Sequence, residues 1–271
     1  MKKYYFITYG TKEFNTSKKH LLHLAKKFEV FDKCYSLSPR DLSQEFKREY
    51  NEILNLKRGA GYWIWKHHII SSLLDEINFG DVVVYCDSGS SLNYFAKKRL
   101  IEYFDILNSS KYGSLMFECE SDFIEKNWTT RQIFDYFNCS NDENLKNSTQ
   151  LEATQMIFKK NDHSNLIFNE YKNALRFDSY LISDRYNNLN QDDCFIDNRH
   201  DQSIFSVISK KFKSEVLKNE SNHKSNLTNQ HLYPFLAVRT YGHGKKDKIK
   251  YALNYKNFKN IPVYFEEIKN D

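Results

Sequence analysis

An α/β fold with a mostly parallel central sheet flanked by helices is the architecture this sequence predicts, and three observations carry the prediction. Val82 to Cys86 is a near-continuous apolar run of strand length, the pattern of a strand buried on both faces of a parallel sheet. Strand-like and helix-like stretches alternate along the chain, which places helices on both sides of such a sheet. With 40% apolar and 16% aromatic residues among 271, there is enough apolar surface for one substantial core. Eight glycines, three prolines and no Pro-rich or Gly/Ser-rich stretch mark no linker, so a single domain over residues 1–271 is expected.

The elements follow in order. Tyr4 to Tyr9 alternates and is rich in β formers, a lysine-rich helical stretch comes next, and Phe28 to Tyr35 is a second short apolar run, together a β-α-β opening. Ser43 to Leu56 reads as helix. Tyr62 to Ile77 carries apolar residues at helical spacing, and Gly80 breaks the chain before the buried strand, which ends in Asp87-Ser88-Gly89-Ser90-Ser91. Phe95 to Leu107 reads as a helix, Gly113 to Phe117 and Gln155 to Lys160 as strands, and Asn138 to Asn147 as a polar loop. Ile204 to Leu217 reads as an amphipathic helix launched from Asp201, and Tyr233 to Val238 as a late strand. No repeat of 20 to 50 residues is present, which sets solenoids aside.

Composition excludes several classes. The five cysteines, Cys34, Cys86, Cys119, Cys139 and Cys194, are odd in number and never spaced as CxxC, so neither a disulfide framework nor a zinc site is indicated. Met1 to Gly10 reads as a first strand rather than a signal peptide, and no window approaches the roughly 18 apolar residues of a spanning helix. A reducing, cytoplasmic setting is expected. The net charge of +5 is uneven, with lysines gathered from Lys210 to Lys224 and from Lys245 to Lys259. Such a face suits a phosphorylated substrate, an anionic lipid or nucleic acid, or is simply solvated.

In open α/β sheets ligands sit beyond the carboxyl ends of the strands, so Asp87, directly after a buried strand, stands where substrates go. The competing reading is a turn-starting Asp bonded to the amides of Gly89 or Ser90. Upstream, Lys57-Arg58-Gly59-Ala60-Gly61-Tyr62-Trp63-Ile64-Trp65-Lys66 concentrates glycines, aromatics and cations. Glycines admit close backbone approach, and Arg or Lys neutralises phosphate, although the tryptophans can equally fill the core. The run is neither a Walker loop nor GxGxxG.

The pairing of Arg58-Gly59-x-Gly61-Tyr62-Trp63-x-Trp65-Lys66 with Val84-Tyr85-x-Asp87-x-Gly89 resembles bacterial surface-polysaccharide (capsule and lipopolysaccharide) glycosyltransferases of the GT-A type, with a Rossmann-like sheet. In that group a DxD motif holds a divalent metal and the ribose of a nucleotide sugar. Asp87 matches its first position and Gly89 replaces the second Asp. Arg199-His200-Asp201-Gln202-Ser203 is similar to the Asp-Gln element set against the donor sugar, Asp201 otherwise being a plain helix N-cap. Tyr241-Gly242-His243-Gly244-Lys245 resembles a closing loop whose His binds metal and whose Lys binds diphosphate, a flexible basic tail being the other account. Thr149-Gln150-Leu151-Glu152-Ala153 resembles the segment supplying a general base in inverting relatives, and Glu152 is otherwise an ordinary helix-surface glutamate. Thr8-Tyr9-Gly10 lies where relatives seat the base, with Tyr9 for stacking, or as a buried strand-end tyrosine.

The resemblance implies a transferase moving a hexosyl unit from a nucleotide-diphosphate sugar, UDP-linked by expectation, to a glycan or lipid-linked acceptor. It implies donor-binding roles for Thr8, Tyr9, Arg58, Tyr62, Trp65, Lys66, Asp87, Gly89 and Lys245, and catalytic roles for Asp201, Gln202 and Glu152. Mn2+ or Mg2+ falls to Asp87 and His243. The resemblance implies a nucleotide-binding half over about residues 1–118 and a sugar and acceptor half with a basic carboxyl-terminal segment over about 119–271, and it allows peripheral association at the inner membrane face. Two other classes stand beside it: a metal-dependent nuclease or nucleic-acid-binding protein, which the modest charge disfavours, and a catalytically inactive sugar-nucleotide-binding module.

Overall fold

The protein is seen in a computed structural model that describes residues 2–221 and 232–237. In chain order its elements are β1 (Tyr4–Tyr9), α1 (Asn15–Lys27), β2 (Lys33–Leu37), α2 (Gln44–Glu49), α3 (Asn51–Leu54), α4 (Gly59–Tyr62), α5 (Trp65–Glu76), β3 (Val82–Cys86), β4 (Ser91–Leu92), α6 (Lys97–Ser109) and β5 (Ser114–Phe117). There follow α7 (Glu125–Trp128), α8 (Arg131–Tyr136), α9 (Glu143–Lys146), β6 (Gln155–Lys159), α10 (Asp162–Phe177), α11 (Asp201–Lys211), β7 (Glu215–Leu217) and β8 (Phe235–Leu236).

Six strands form the central sheet in the order β2-β1-β3-β6-β5-β7, and β6 alone runs against the others. The expected α/β architecture with a mostly parallel sheet is what the structure has. The strands alternate their side chains between two cores, as a pleat of period two requires. Tyr5, Ile7, Tyr9, Val83 and Tyr85 face the helices α5, α10 and α11, whereas Phe6, Val82, Val84 and Cys86 face α1 and α6. Burial on both faces explains why β3 reads as an unbroken apolar run. Each fully buried side chain such as Phe6 or Phe158 contributes about 1.5–3 kcal/mol relative to exposure.

Several expectations about elements change. The second strand is Lys33–Leu37, because α1 closes at Phe28 and Glu29 takes a left-handed φ of 53° before the chain can extend. The polar stretch 138–147 contains the short helix α9, whose Asp142 side chain accepts from the Leu145 amide. The helix from Asp201 stops at Lys211; Lys213, at φ 74°, ends it, and Glu215–Leu217 becomes edge strand β7 beside β5. That helix is also not amphipathic, since every residue from Asp201 to Ser209 is buried. Helix α10, absent from the sequence reading, opens on a reciprocal capping box between Asn161 and Ser164. The late strand is Phe235–Leu236, paired with β4, and Val238 lies outside the described residues.

The topology places the site. From β1 the chain moves one way to β2 and returns to β3 on the other side, so the carboxyl ends of β1 and β3 flank a topological switch point. A Cβ on Gly10 would lie 2.8 Å from Ser88 Oγ, so only a residue without one lets the end of β1 touch the turn after β3.

Candidate active site

Lys66, at the start of α5, is 2% exposed, and its ammonium meets three oxygens at the switch point. Nζ donates to Ala153 O at 3.0 Å and pairs with Asp87 Oδ1 at 3.1 Å and Asp201 Oδ2 at 2.5 Å. Burial pulls its pKa down, but Asp201 and Asp87 more than offset that, and the net direction is up. Asp87 Oδ1 also accepts from Tyr85 OH, while 29% of the Asp87 side chain stays exposed. Asp87 closes its turn through the backbone, Ser90 N donating to Asp87 O at 2.9 Å, so its carboxylate remains with Lys66 and Tyr85. Asp201 opens α11; burial raises its pKa to about 6, with Lys66 lowering it and Asp87 raising it.

A strained turn seats Lys66. Gly59, Ala60, Gly61, Tyr62 and Trp63 have φ of 58, 51, 92, 52 and 59°, a left-handed run that L-residues avoid at a cost of about 1–2 kcal/mol each. A Cβ on Gly61 would sit 2.8 Å from Leu54 Cα. The turn is held by Trp65 Nε1 donating to Gly59 O at 3.1 Å, and by Arg58, whose Nη1 donates to both Asp184 oxygens at 2.9 Å and whose Nη2 reaches Asp197 at 3.3 Å. Tyr62 OH donates to Asp184 at 3.0 Å. Trp63 stacks on His200, ring centroids 5.5 Å apart. His200 has a φ of 61°, and its pKa falls to about 4, first through burial and then through Arg58. The turn is thereby clamped to the segment that delivers Asp201.

Glu152 lies before β6 and is 8% exposed. Burial raises its pKa to about 7 against three donors that lower it: Ser221 Oγ at 2.7 Å, Gln155 Nε2, and Asn219 Nδ2 at 2.8 Å; Arg199 lowers it further. Ser221 is delivered by its neighbour Glu220, which Arg99 clamps at 2.9 and 2.6 Å and Tyr103 caps. Gln202, one residue beyond Asp201, points Oε1 at the Ala153 amide, 3.4 Å away. The backbone around Ala153 therefore lies between Lys66, Gln202 and Glu152.

Of the residues singled out from sequence, Lys66, Asp87, Asp201, Gln202 and Glu152 come together here. Arg58 and Tyr62 lie on Asp184 instead of opening towards the cluster. Tyr9 and Trp65 stack on each other at 3.9 Å and are 2% and 5% exposed; Thr8 is fully buried, and Gly89 lies in the turn after Asp87. His243 and Lys245 lie outside the described residues. Asp184, Asp197, Glu125, Gln150, Ser221 and Tyr85 were not singled out. Tyr85, two residues before Asp87 on β3, and Gln150, two residues before Glu152, lie in the short motifs of those residues; the others are partners by tertiary contact. Among the described residues no group of three His, Cys, Asp or Glu stands ready to hold a metal. Cavities of about 340 and 610 Å³ open elsewhere and are not lined by Asp87, Asp201 or Glu152. No helix of the described residues is long and apolar enough to cross a membrane.

No family model matches the chain and no curated protein matches it. Solved structures similar to it include a glycosyltransferase involved in glycosylation of the major capsid of PBCV-1, at a TM-score of 0.48 and 10% identity, covering 92% of this chain and 98% of that one. Mouse xyloside xylosyltransferase 1 reaches 0.40 and 13%, covering 85% and 93%, and the glycosyltransferase GlyE of Streptococcus pneumoniae reaches 0.43 and 13%, covering 96% and 64%. Likenesses this distant carry no argument about activity, which rests on the site.

Proposed function

We propose that the chain is a glycosyltransferase that moves a sugar from a nucleotide-diphosphate sugar to a hydroxyl of a glycan or lipid-linked acceptor, in the synthesis of surface polysaccharide. One observation carries the reading: two carboxylates, Asp87 and Asp201, are fixed by a buried ammonium at the β1/β3 switch point, and that ammonium also holds the carbonyl of Ala153, the residue after a third carboxyl, Glu152, whose pKa of about 7 suits it to take a proton near neutral pH.

In this reading the acceptor oxygen forms a bond to the anomeric carbon as the bond from that carbon to the diphosphate oxygen breaks, the electron pair leaving with the diphosphate. The acceptor's proton passes to Glu152. Asp201 receives hydrogen bonds from sugar hydroxyls, Gln202 faces the anomeric carbon, and Asp87 offers its exposed side to the ribose. Lys66 and Arg58 already hold carboxylates, and the cation proposed against the diphosphate is Lys245, by the sequence resemblance. Asp87, held through one oxygen and partly exposed, is the carboxylate proposed to hold a divalent cation, with His243 its second ligand by the sequence resemblance; Mn2+ or Mg2+ there would neutralise diphosphate charge. A UDP-linked hexose is the donor proposed. Lysines near the carboxyl end draw the protein to an anionic membrane surface.

Thermal unfolding with UDP, GDP, CDP, CMP and ADP, with and without Mn2+, tests the reading, because a ligand of the native state raises its stability by mass action. A shift with one nucleotide that disappears in Asp87→Ala supports it and identifies the donor base. No shift with any nucleotide overturns it.

A further inference from the structure

The carboxamide of Gln202 has a fixed polarity, and its cause lies two side chains away. Gln150 is fully buried, and its Nε2 is surrounded by Thr129 Oγ1 at 3.1 Å, Glu125 Oε1 at 3.3 Å, Ser203 Oγ at 3.3 Å and Trp128 O at 3.4 Å. Each of these is an acceptor toward Gln150. A carboxylate and a carbonyl cannot donate, the Thr129 hydroxyl gives its proton to Glu125 Oε1 at 2.6 Å, and the Ser203 hydroxyl gives its own to Trp128 O at 2.7 Å. Glu125 is itself fully buried and held in place by Lys210 and Ser206. Gln150 must therefore turn its NH2 to this group and its oxygen the other way. That oxygen accepts from Gln202 Nε2 at 2.7 Å, so Gln202 in turn gives its NH2 to Gln150, with Cys119 Sγ a weaker acceptor at 3.5 Å, and aims its oxygen at the Ala153 amide, 3.4 Å away. A flip of either amide would set oxygen against oxygen, or NH2 against NH2, in a buried place.

We infer that Glu125 and Gln150 are positioning residues that set the amide polarity of Gln202, so that it presents a carbonyl oxygen, an acceptor with a lone pair to spare, to the reaction centre. The long contact to Ala153 leaves that oxygen able to receive a sugar hydroxyl's hydrogen bond or to face positive charge developing at the anomeric carbon. This chemical consequence rests on the transferase reading, whereas the polarity itself does not.

The test uses the full chain labelled with 15N, wild type and Gln150→Met, which keeps the length and removes both polar groups. Side-chain NH2 exchange of Gln202 is read by NMR, and nucleotide binding and sugar transfer are read beside it. The inference expects Gln202 NH2 exchange to quicken by about tenfold or more in Gln150→Met, as a protected group gains access to solvent. With turnover measurable, it expects kcat to fall about tenfold at a donor KM within about twofold, and Gln150→Met/Gln202→Met to be no slower than Gln202→Met alone. Unchanged Gln202 exchange, or a double variant slowed by the product of the two single effects, overturns it. Glu125→Gln, which replaces the acceptor at the head of the chain, repeats the exchange measurement should Gln150→Met not fold. A wild-type protein that binds no nucleotide refutes the transferase reading and leaves the exchange result to decide the polarity.

Discussion

Asp201 and Glu152 are both buried carboxyls, and burial raises both above the ordinary carboxylate range, to about 6 and about 7. Their neighbours differ. Asp201 faces the ammonium of Lys66 and shares it with Asp87, whereas Glu152 is held by the neutral donors Ser221, Asn219 and Gln155, with Arg199 the cation that acts on it. A cation sharing a buried site keeps a carboxylate charged and fixed. Neutral hydrogen-bond donors serve the charged form less, so such a carboxyl exchanges its proton near neutral pH. The first arrangement suits binding and the second suits proton transfer.

The largest expected effect follows from removing the shared cation. Lys66→Met leaves Asp87 and Asp201 facing each other uncompensated and should cost about 3–5 kcal/mol in chemical denaturation at pH 8. Because burial and Asp87 raise the Asp201 pKa and Lys66 is what lowers it, the variant's Asp201 takes its proton at a pH above the wild type's value of about 6, and the loss should shrink by pH 5. An equal loss at both values would show that Asp201 does not carry the strain.

Glu152 gives the next effect. With a folded pKa raised from 4.5 to about 7, its contribution to stability is fully present below pH 4.5 and is lost as pH rises through about 7. The step amounts to up to about 3 kcal/mol. Glu152→Gln should flatten the stability curve between those values, and a curve of unchanged shape would assign the step to another group. Gly61→Ala disturbs the seat of Lys66 without touching a charge. At φ 92°, with a Cβ 2.8 Å from Leu54 Cα, it should cost about 2 kcal/mol or more, read as a lowered denaturation midpoint. The smallest effect is that of Ser221→Ala, which removes one donor that lowers the Glu152 pKa. It should cost about 1 kcal/mol and move the Glu152 step to higher pH.

What could be read from the sequence was local. The run Val82 to Cys86 and the acid that follows it lie in one strand and one turn, so composition and spacing within a few residues locate both. Lys66, Asp201 and Glu152 each stood out in a short motif, but their meeting depends on how α5, α11 and the start of β6 pack, which no spacing encodes. The roles of Arg58 and Tyr62 were hidden for the same reason, because Asp184 and Asp197 are partners by tertiary contact alone. The helix from Asp201 was overextended because the apolar pattern persists through Val216 and Leu217 after the backbone has turned at Lys213.

The account is tested most directly by release of nucleoside diphosphate from nucleotide sugars, measured from pH 5 to 9 for the wild type, Asp201→Asn and Glu152→Gln, with folding of each confirmed. It predicts turnover by the wild type that falls on the acid side of about pH 7 as Glu152 takes its proton, and losses of about 10²-fold or more in both variants. A folded wild type that turns over no nucleotide sugar, or a Glu152→Gln variant with the wild-type rate and pH profile, would contradict it.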